Sequence, residues 1–564
     1  MSASPSSSLG GASFEEADVI IAGLGPTGLV LAHLLGRRGH RVVVLEREPT
    51  FYGNARAVYT DDECMRVFQS MGVAQELQSK MLLETPCQWV AADGRVMGQY
   101  VPTKRPFGWP VVNFFYQPYL ETTLTERLSQ YPNVSVLRGR ELVSFVQDDD
   151  GVTVTHQATR DRLPRAASLR GRYLIGADGG RSVVRTLLGI EMTGRNFPEP
   201  WLVVDLKAKD ARQAGSANGL HHLPYFNFYC DPECPAVSCP QPDGHHRFEF
   251  RLMPGQTKEQ MEAPETVRHY LSKYLEPERF EVKRRLVYTF NALVAKRWRD
   301  RRVFLAGDAA HMTPQFMGQG MSSGVRDAYN LAWKLDAVMR GAAADALLDT
   351  YQSERRAHAK SMIDISVLMK DMVSACTPLR AALRDAIAAL IRVTPPLRTW
   401  IQEGGFKPSP TYAPGFFGLQ RRRRRALEGR LVPQPEVRRE GGRRALLDEV
   451  LGEGFALLGL GVDPRASLSS SSRAWLDGLG ASYVTLFSYG QRPQGRLAKG
   501  RSASEGLAEV EDVEGEMLRW FRGAGFARNA VGVIRPDKFL FGLADASRLD
   551  DVIDELRVRL SGES

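Results

Sequence analysis

Apolar and polar residues repeat with two different periods along this chain, and the points where the period changes mark its elements. Asp18–Ala22 is an apolar run with the length of a buried parallel strand. Leu29–Arg38 follows with helical spacing, Gly39 stops it, and Arg41–Leu45 is a second β-branched run ending at Glu46. Tyr116-Gln117-Pro-Tyr opens a helix over Leu120–Gln130, and Val134–Leu137 and Gly151–His156 alternate as strands do. Arg172–Ala177 is a strand that runs into Asp178-Gly179-Gly180, where Ser182 is placed to cap a short helix. Val303–Ala306 is a further apolar strand. Gly307-Asp308, a loop holding Pro314, Gly318 and Gly320, and a helix with Met321, Val325, Ala328, Ala332 and Leu335 on one side come after it.

Between residues 190 and 300 the texture changes to short alternating segments: Trp201–Leu206, Tyr225–Tyr229, Arg247–Leu252 and Leu286–Phe290. These predict a mainly antiparallel sheet, a separate layer able to roof a pocket. Long helices are expected over Ala344–Val393, broken at Pro395-Pro396. Near the end, Phe455–Leu460, Tyr483–Ser488, Ala530–Ile534 and Lys538–Ala544 read as strands, and Glu516–Phe521 and Asp550–Leu560 as helices. The pattern predicts an α/β fold. Residues 1–16 are a disordered lead-in, and 17–190 with 300–400 form a discontinuous Rossmann-like unit. Residues 191–299 are its antiparallel insert, 401–438 a basic, Pro-rich linker, and 439–564 a last α/β unit.

Composition narrows the class. The chain has 564 residues, 43% hydrophobic and 25% charged, with no apolar run of membrane-spanning length. Its first residues lack the basic start and apolar centre of a secretory signal. Six cysteines are too few for a disulfide framework, so a reducing cytoplasm is the expected compartment. The net charge of +9 is spread along the chain except at Arg421–Arg425, which reads as a solvated linker face. The overall charge suits anionic small molecules; neither a nucleic acid nor a membrane is expected as partner.

The candidate chemistry begins at Gly23-Leu-Gly25-Pro-Thr-Gly28, between the first strand and the first helix. The first glycine makes the tight turn, the second lets backbone reach a pyrophosphate, and the third lets helix and strand pack closely. Glu46, at the end of the next strand, is placed for ribose hydroxyls and disfavours a 2′-phosphate. The loop after Gly307 also suits an anion at a helix start, and Asp308 suits sugar-like hydroxyls. The near-miss Gly459-Leu-Gly461 lacks the third glycine, so only one complete nucleotide fingerprint is present.

Three motifs in order, Gly23-x-Gly25-x-x-Gly28, Ala177-Asp178-Gly179 and Gly307-Asp308 with Pro314 and Gly318-x-Gly320, resemble the single-component FAD-dependent aromatic hydroxylases, the family of p-hydroxybenzoate hydroxylase. The resemblance covers residues 17 to 400. Within the family, Tyr229-Cys-Asp-Pro through Arg247-Phe-Glu-Phe-Arg251 and Met317–Met321 are most similar to 3-(3-hydroxyphenyl)propionate hydroxylases. The final unit resembles the thioredoxin-like domain of phenol hydroxylases. With no cysteine after Cys376, its expected role is scaffold or dimer contact rather than redox chemistry.

The resemblance implies a tightly bound, non-covalent FAD, with NAD(P)H as transient co-substrate. Gly23, Gly25, Gly28 and Glu46 would hold the ADP half, and Arg56 and Gln117 the pyrophosphate and ribityl regions. Asp178 and Gly179 would touch both FAD and NAD(P)H. Asp308 would bind the ribityl chain, with Pro314, Gly318, Gln319, Gly320 and Met321 beside the ring. It further implies dioxygen activation as a flavin C4a-hydroperoxide and hydroxylation of a phenol ortho to its hydroxyl, in aromatic catabolism. His222, Tyr225 and His311 are the candidates for a proton relay. His311 equally suits a loop histidine bonded to backbone, and His222 and Tyr225 equally suit a strand surface. A larger polyketide-like aromatic, or a non-catalytic flavin-binding assembly protein, are the alternative readings. A halogenase is disfavoured, because none of the eight tryptophans forms a WxW pair. Cys230, Cys234 and Cys239 with His245 and His246 lack zinc-site spacing and read as packed thiols, so no metal is expected.

Overall fold

Five parallel strands carry the motifs: Val303–Leu305, Ala167–Gly176, Glu16–Ala22, Val42–Glu46 and Val134–Arg138, neighbours in that order. Val19, Ile20, Ile21, Val303, Phe304 and Leu305 are wholly buried, as strands covered on both faces must be. This computed structural model describes residues 16–51, 53, 55–160, 166–210, 225–418, 427–493 and 507–563. The chain forms two compact units. Residues 1–104, 110–328 and 359–408 make the first, and 105–109, 329–358 and 409–564 the second.

In the first unit a second sheet runs in the order His311–Met312, Phe280–Ala295, Met192–Ala208, His245–Arg251, Ala236–Pro240, Phe226–Cys230, Cys87–Ala91, Val96–Tyr100. All neighbours are antiparallel except Phe226–Cys230 with Cys87–Ala91. The sheet therefore extends beyond residues 191–299 and belongs to the same compact unit as the parallel sheet, not to a separate one. Trp201–Leu206 and Leu286–Phe290, expected as short strands, are the middles of strands of 17 and 16 residues. Exposed polar ends hid the full length from a reading based on apolar alternation.

Register sorts this sheet's side chains. Val203 lies opposite both Glu249 and Leu286, and Asp205 opposite both Arg247 and Arg284, so these residues share one face. On the other face Leu202, Val204, Phe248 and Phe250 pack with Met261, Val267 and Leu271 of two short helices. The first face is left for a cavity.

The second unit has a seven-stranded sheet in the order Arg444–Leu446, Glu436–Arg438, Leu507–Asp512, Ser482–Ser488, Ala456–Leu460, Ala530–Ile534, Leu540–Asp545. The middle three strands are parallel; the hairpin at the end is antiparallel. Helix Leu549–Ser561 buries Val552, Ile553 and Leu556 in this unit's core. Beneath the apolar contacts lies a wholly buried ionic knot. Glu354 accepts from Lys334 Nζ at 2.7 Å, from Arg535 Nη1 and Nη2 at 2.7 and 2.9 Å, and from Asn330 Nδ2 at 2.7 Å.

Candidate active site

Because their strands are neighbours, the three motifs meet at one sheet edge. Ala177 N donates to Ala22 O, Ala306 N to Gly176 O, and Gly23 N to Leu45 O, each within 2.9 Å. Packing there is dense. A Cβ on Gly28 would stand 2.0 Å from Gly23 O. Thr27 Oγ1 is wedged between Gly307 and Gly324, where added Cβ atoms would lie at 2.6 and 2.2 Å. These glycines weld the first helix to the last motif. Gly25 and Gly320 differ: nothing lies within 4 Å of a Cβ built on either, so their backbones face open space.

That space is a cavity of about 740 Å³, lined by Gly23, Gly25, Glu46, Arg56, Gln117, Asp178, Gly179, Asp308, Gly318, Gln319, Gly320 and Met321. Gly25 caps helix Pro26–Arg37, whose first turn has no acidic residue and so favours a phosphate. Glu46 accepts from Leu24 N and Glu48 N, both at 2.8 Å, one on each carboxylate oxygen, which fixes the side chain at the cavity wall. Asp308 reaches the cavity and accepts no hydrogen bond among the described residues. Burial within the protein raises its pKa, while His311 and Arg56 pull it down. Its side chain is open to the cavity, and a carboxyl group there without a protein partner suits a ligand hydroxyl. Open glycine backbones, the helix start, Glu46 and Asp308 together fit a dinucleotide.

Four expected residues stand differently. Pro314 and Gly28 do not line the cavity; Pro314 O accepts from Ser366 Oγ at 2.6 Å. Gln117 Oε1 is taken by the backbone amides of Arg56 and Ala57, at 2.6 and 2.7 Å, so this side chain fixes the Arg56 segment. Gln319 spends its amide on Asp61 and Arg326, leaving its backbone for the cavity.

The proton-relay candidates also move. His311 is wholly buried, stacks on Trp298 and bonds Asp327 Oδ2 through Nε2 at 2.7 Å, and it does not line the cavity. The same Asp327 oxygen accepts Gly307 N at 3.0 Å, so His311 serves the shape of the loop. Phe226 and Phe228 face the cavity, whereas Tyr225 precedes their strand and does not line it. His222 lies outside the described residues. Among the cysteine and histidine group, Cys239 faces the cavity whereas His246 bonds Ser238 Oγ on the opposite face, and His245 stacks on Tyr116.

Sequence reasoning missed the charged island on the antiparallel sheet. Arg247, buried, donates Nε to Asp205 at 2.7 Å, Nη1 to Arg56 O and Nη2 to Ala55 O, both at 2.6 Å. Arg284 shares Asp205 at 2.8 Å and also reaches Ala55 O. Glu249 is buried, lines the cavity, and makes no hydrogen bond or ion pair among the described residues. Burial pushes its pKa up to about 7; Arg247 opposes this and Asp205 adds to it. The signal was in Arg247-Phe-Glu-Phe-Arg251, where aromatics alternate with charges and both faces are covered.

Aromatic and apolar side chains form the rest of the wall, including Trp89, Tyr100, Phe228, Tyr288, Phe290 and Phe406. Tyr288 donates to Gln315 Oε1 and Tyr59 to Val111 O, both at 3.1 Å. Lys407 also lines this region, its ammonium held by Asp61 at 3.0 Å, Glu63 at 3.1 Å and Asp62 at 3.5 Å, with Arg326 bound to Asp61 and Glu63. The three acids answer two cations, so Lys407 is neutralised where it stands. No described helix is long and apolar enough to cross a membrane.

Comparison with known proteins agrees with this geometry. The FAD binding domain family matches residues 16–366, and the HcaD C-terminal domain family matches residues 429–559. The chain is 37% identical over 540 residues to a 3-(3-hydroxy-phenyl)propionate/3-hydroxycinnamic acid hydroxylase of Shigella sonnei, covering 95% of this chain and 94% of that one. It is 36% identical over 589 residues to the Paraburkholderia xenovorans protein of the same name, covering 97% and 91%. Among solved structures, the flavin-dependent monooxygenase PieE shares the fold with a TM-score of 0.76 at 21% identity, over 96% of this chain and 99% of that one. Aklavinone-11 hydroxylase does so with 0.75 at 23%, over 98% and 100%. The chain is an enzyme of the FAD-dependent aromatic hydroxylase family, and FAD is its cofactor.

Proposed function

We propose that this enzyme uses NAD(P)H and dioxygen to hydroxylate a small phenolic acid ortho to its hydroxyl, with 3-(3-hydroxyphenyl)propionate or 3-hydroxycinnamate as the first substrates to test. The observation that carries the reading is the charged island within an otherwise aromatic wall. Arg247 and Arg284 are two cations against one paired carboxylate, Asp205, while Glu249 sits near neutrality. With Glu249 protonated, about one positive charge is left uncompensated, which suits a phenolate or a substrate carboxylate; with Glu249 ionised the island balances. Substrates named for the relatives carry both groups.

Bound FAD supplies the redox chemistry, accepting a hydride and activating oxygen. The chain's residues do the rest. Asp308, Glu46 and the open backbones at Gly25 and Gly320 would hold the cofactor. Asp178 and Gly179 line the cavity and would meet a transient NAD(P)H. The aromatic wall orients the ring and keeps water out, which limits wasteful loss of reducing equivalents. Glu249, as carboxylate, takes the phenolic proton, and Arg247 and Arg284 steady the negative charge left on the ring oxygen. In the second unit, three parallel strands, an antiparallel hairpin and a closing helix support a thioredoxin-like scaffold with no redox role.

The test is a panel of phenolic acids, simple phenols and polycyclic phenols, scored by hydroxylated product as well as NAD(P)H loss. Ortho-dihydroxy product from 3-hydroxyphenylpropionate, with coupling near one, is the expected result. Product from polycyclic phenols alone would overturn the substrate assignment.

A further inference from the structure

The face of the antiparallel sheet that meets the cavity changes character along its width. Glu249 lies opposite Val237, Val237 opposite Phe228, and Phe228 opposite Trp89. Two residues before Trp89, on the same side of its strand, Cys87 lies opposite Tyr100. All six line the cavity, so a charged end gives way to an aromatic floor and then to a phenol. Tyr100 and Thr85 both offer the cavity a hydroxyl that makes no hydrogen bond among the described residues, and Thr85 is otherwise buried. The Tyr100 ring is held in place. Phe406 meets it edge-on at 5.7 Å, and Gly404 makes room for its tip, since a Cβ on Gly404 would stand 2.9 Å from the ring. Burial pushes the Tyr100 pKa up to about 12 against the pull of Lys407, so the hydroxyl keeps its proton and can donate.

We propose that Tyr100 and Thr85 bind the carboxylate at the far end of a phenolic-acid substrate whose ring hydroxyl lies at Glu249, so that the cavity selects for the length of the acid side chain. This rests on the phenolic-acid reading above and adds where the acid goes. An ionised carboxylate only accepts hydrogen bonds, and two hydroxyls without protein partners can supply them. The spacing fits. Four strand steps of about 4.8 Å put the backbone of Tyr100 roughly 19 Å from that of Glu249. A meta-hydroxyphenyl ring bearing a three-carbon acid is about 9 Å long, and hydrogen bonds of about 2.8 Å at both ends extend it to roughly 14 Å. The Glu249 and Tyr100 side chains span the remaining distance. A one-carbon acid on the same ring falls about 2.5 Å short, too far for a hydrogen bond. Lys407 and its acids do not repel the substrate acid, because burial pushes Asp62 up to about 7 and leaves Asp61 and Glu63 to balance Lys407 and Arg326. The reversed orientation, with the acid at Arg247, would set a second carboxylate beside Glu249, where like charges oppose each other.

The full-length FAD-loaded enzyme, assayed with 3-hydroxyphenylpropionate, 3-hydroxybenzoate and 3-propylphenol, tests this. The three share the hydroxylated ring; the acid is at full reach in the first, drawn in by two carbons in the second, and absent from the third. Wild type is expected to favour the propionate over each of the others at least about tenfold in kcat/KM. Tyr100→Phe and Thr85→Val should each lower the preference for the propionate over 3-propylphenol about tenfold, mainly through KM, and Thr85→Ser should keep it. Dissociation constants, from the change in flavin absorbance on binding, give the same comparison without turnover. A preference unaltered in both variants at full FAD content overturns the inference. An equal loss for the propionate and 3-propylphenol does so too, because it places Tyr100 at the ring hydroxyl, as the reversed orientation requires. If Tyr100→Phe fails to fold, the Thr85→Val and Thr85→Ser pair decides alone. Product from the propionate with an unaltered preference counts against this inference only; no product from any of the three counts against the phenolic-acid reading as well.

Discussion

Arg247 spans from the antiparallel sheet to the loop carrying Arg56, donating Nη1 to the Arg56 carbonyl at 2.6 Å while Asp205 holds its Nε at 2.7 Å. Gln117 grips the same loop from the other side, through the amides of Arg56 and Ala57. A loop at the flavin cavity is thus held by a buried charge on a second sheet. Arg247→Met leaves Asp205 with only Arg284 and releases the Arg56 carbonyl, while Ala55 O keeps Arg284. Unfolding free energy is expected to fall by about 3–5 kcal/mol, the usual result of removing one partner of a buried pair. FAD affinity, read by fluorescence titration, should fall with it. A variant with wild-type FAD affinity would show that the loop holds its shape without the clamp.

Asp308 separates binding from folding. It accepts nothing from the described protein, and its side chain is open to the cavity. Asp308→Ala should leave the melting temperature of the apoprotein unchanged or slightly raised. FAD dissociation should rise about tenfold to a hundredfold, the equivalent of roughly 1.5–3 kcal/mol for a lost bond to a charged group. A fall of many degrees in the apoprotein melt with FAD affinity retained would mean that Asp308 is structural.

What the sequence made legible, and what it did not, follows from the range of each interaction. The Gly23 turn, Glu46 and the strands beside them are local, and their spacing announces them. That the Asp178 and Asp308 motifs meet this turn was readable from their order, and the strand order of the sheet delivers it. The charged island was not readable, because Asp205, Arg247, Glu249 and Arg284 come from three strands and meet only through register. A histidine in the last loop suggested acid–base chemistry, yet burial against Trp298 and Asp327 commits His311 to the loop's shape. Leu507–Asp512 escaped notice as a strand because Glu509, Glu511 and Asp512 interrupt its apolar pattern.

In the second unit Glu354 is surrounded by Lys334, Arg535 and Asn330, all buried. Burial alone would raise its pKa, but Arg535 and Lys334 outweigh it and hold the carboxyl below its usual range. Its contribution to stability is therefore complete above the unfolded carboxyl value and is lost as pH falls through the depressed folded value. Glu354→Gln leaves Lys334 without its carboxylate and Arg535 with Asp537 alone, and should cost about 3–5 kcal/mol at neutral pH, with the gap from wild type closing in acid. Thermal melts from pH 7 to pH 3 measure it. A gap that stays constant over that range would show that the charge of Glu354 contributes nothing.

Glu249 has the opposite pH signature. Its folded pKa of about 7 stands above the ordinary 4.5, chiefly through burial. The folded protein therefore keeps a proton that the unfolded chain releases. The stabilisation is complete below pH 4.5, declines as pH rises, and is gone above about 7, a total of about 3 kcal/mol. Glu249→Gln removes that decline, so its stability should vary less than wild type between pH 4.5 and 7.5. Activity should run the other way: kcat/KM of the wild type should climb through pH 7 as the carboxylate forms, because the base must be ionised to take a phenolic proton. In Glu249→Gln that limb should vanish and kcat should drop about 10²- to 10⁴-fold with FAD still bound. Glu249→Asp should restore part of the limb. If Glu249→Gln flattens the stability curve but leaves the rate profile intact, the carboxyl is a buried acid of the wall and the proton leaves by another route.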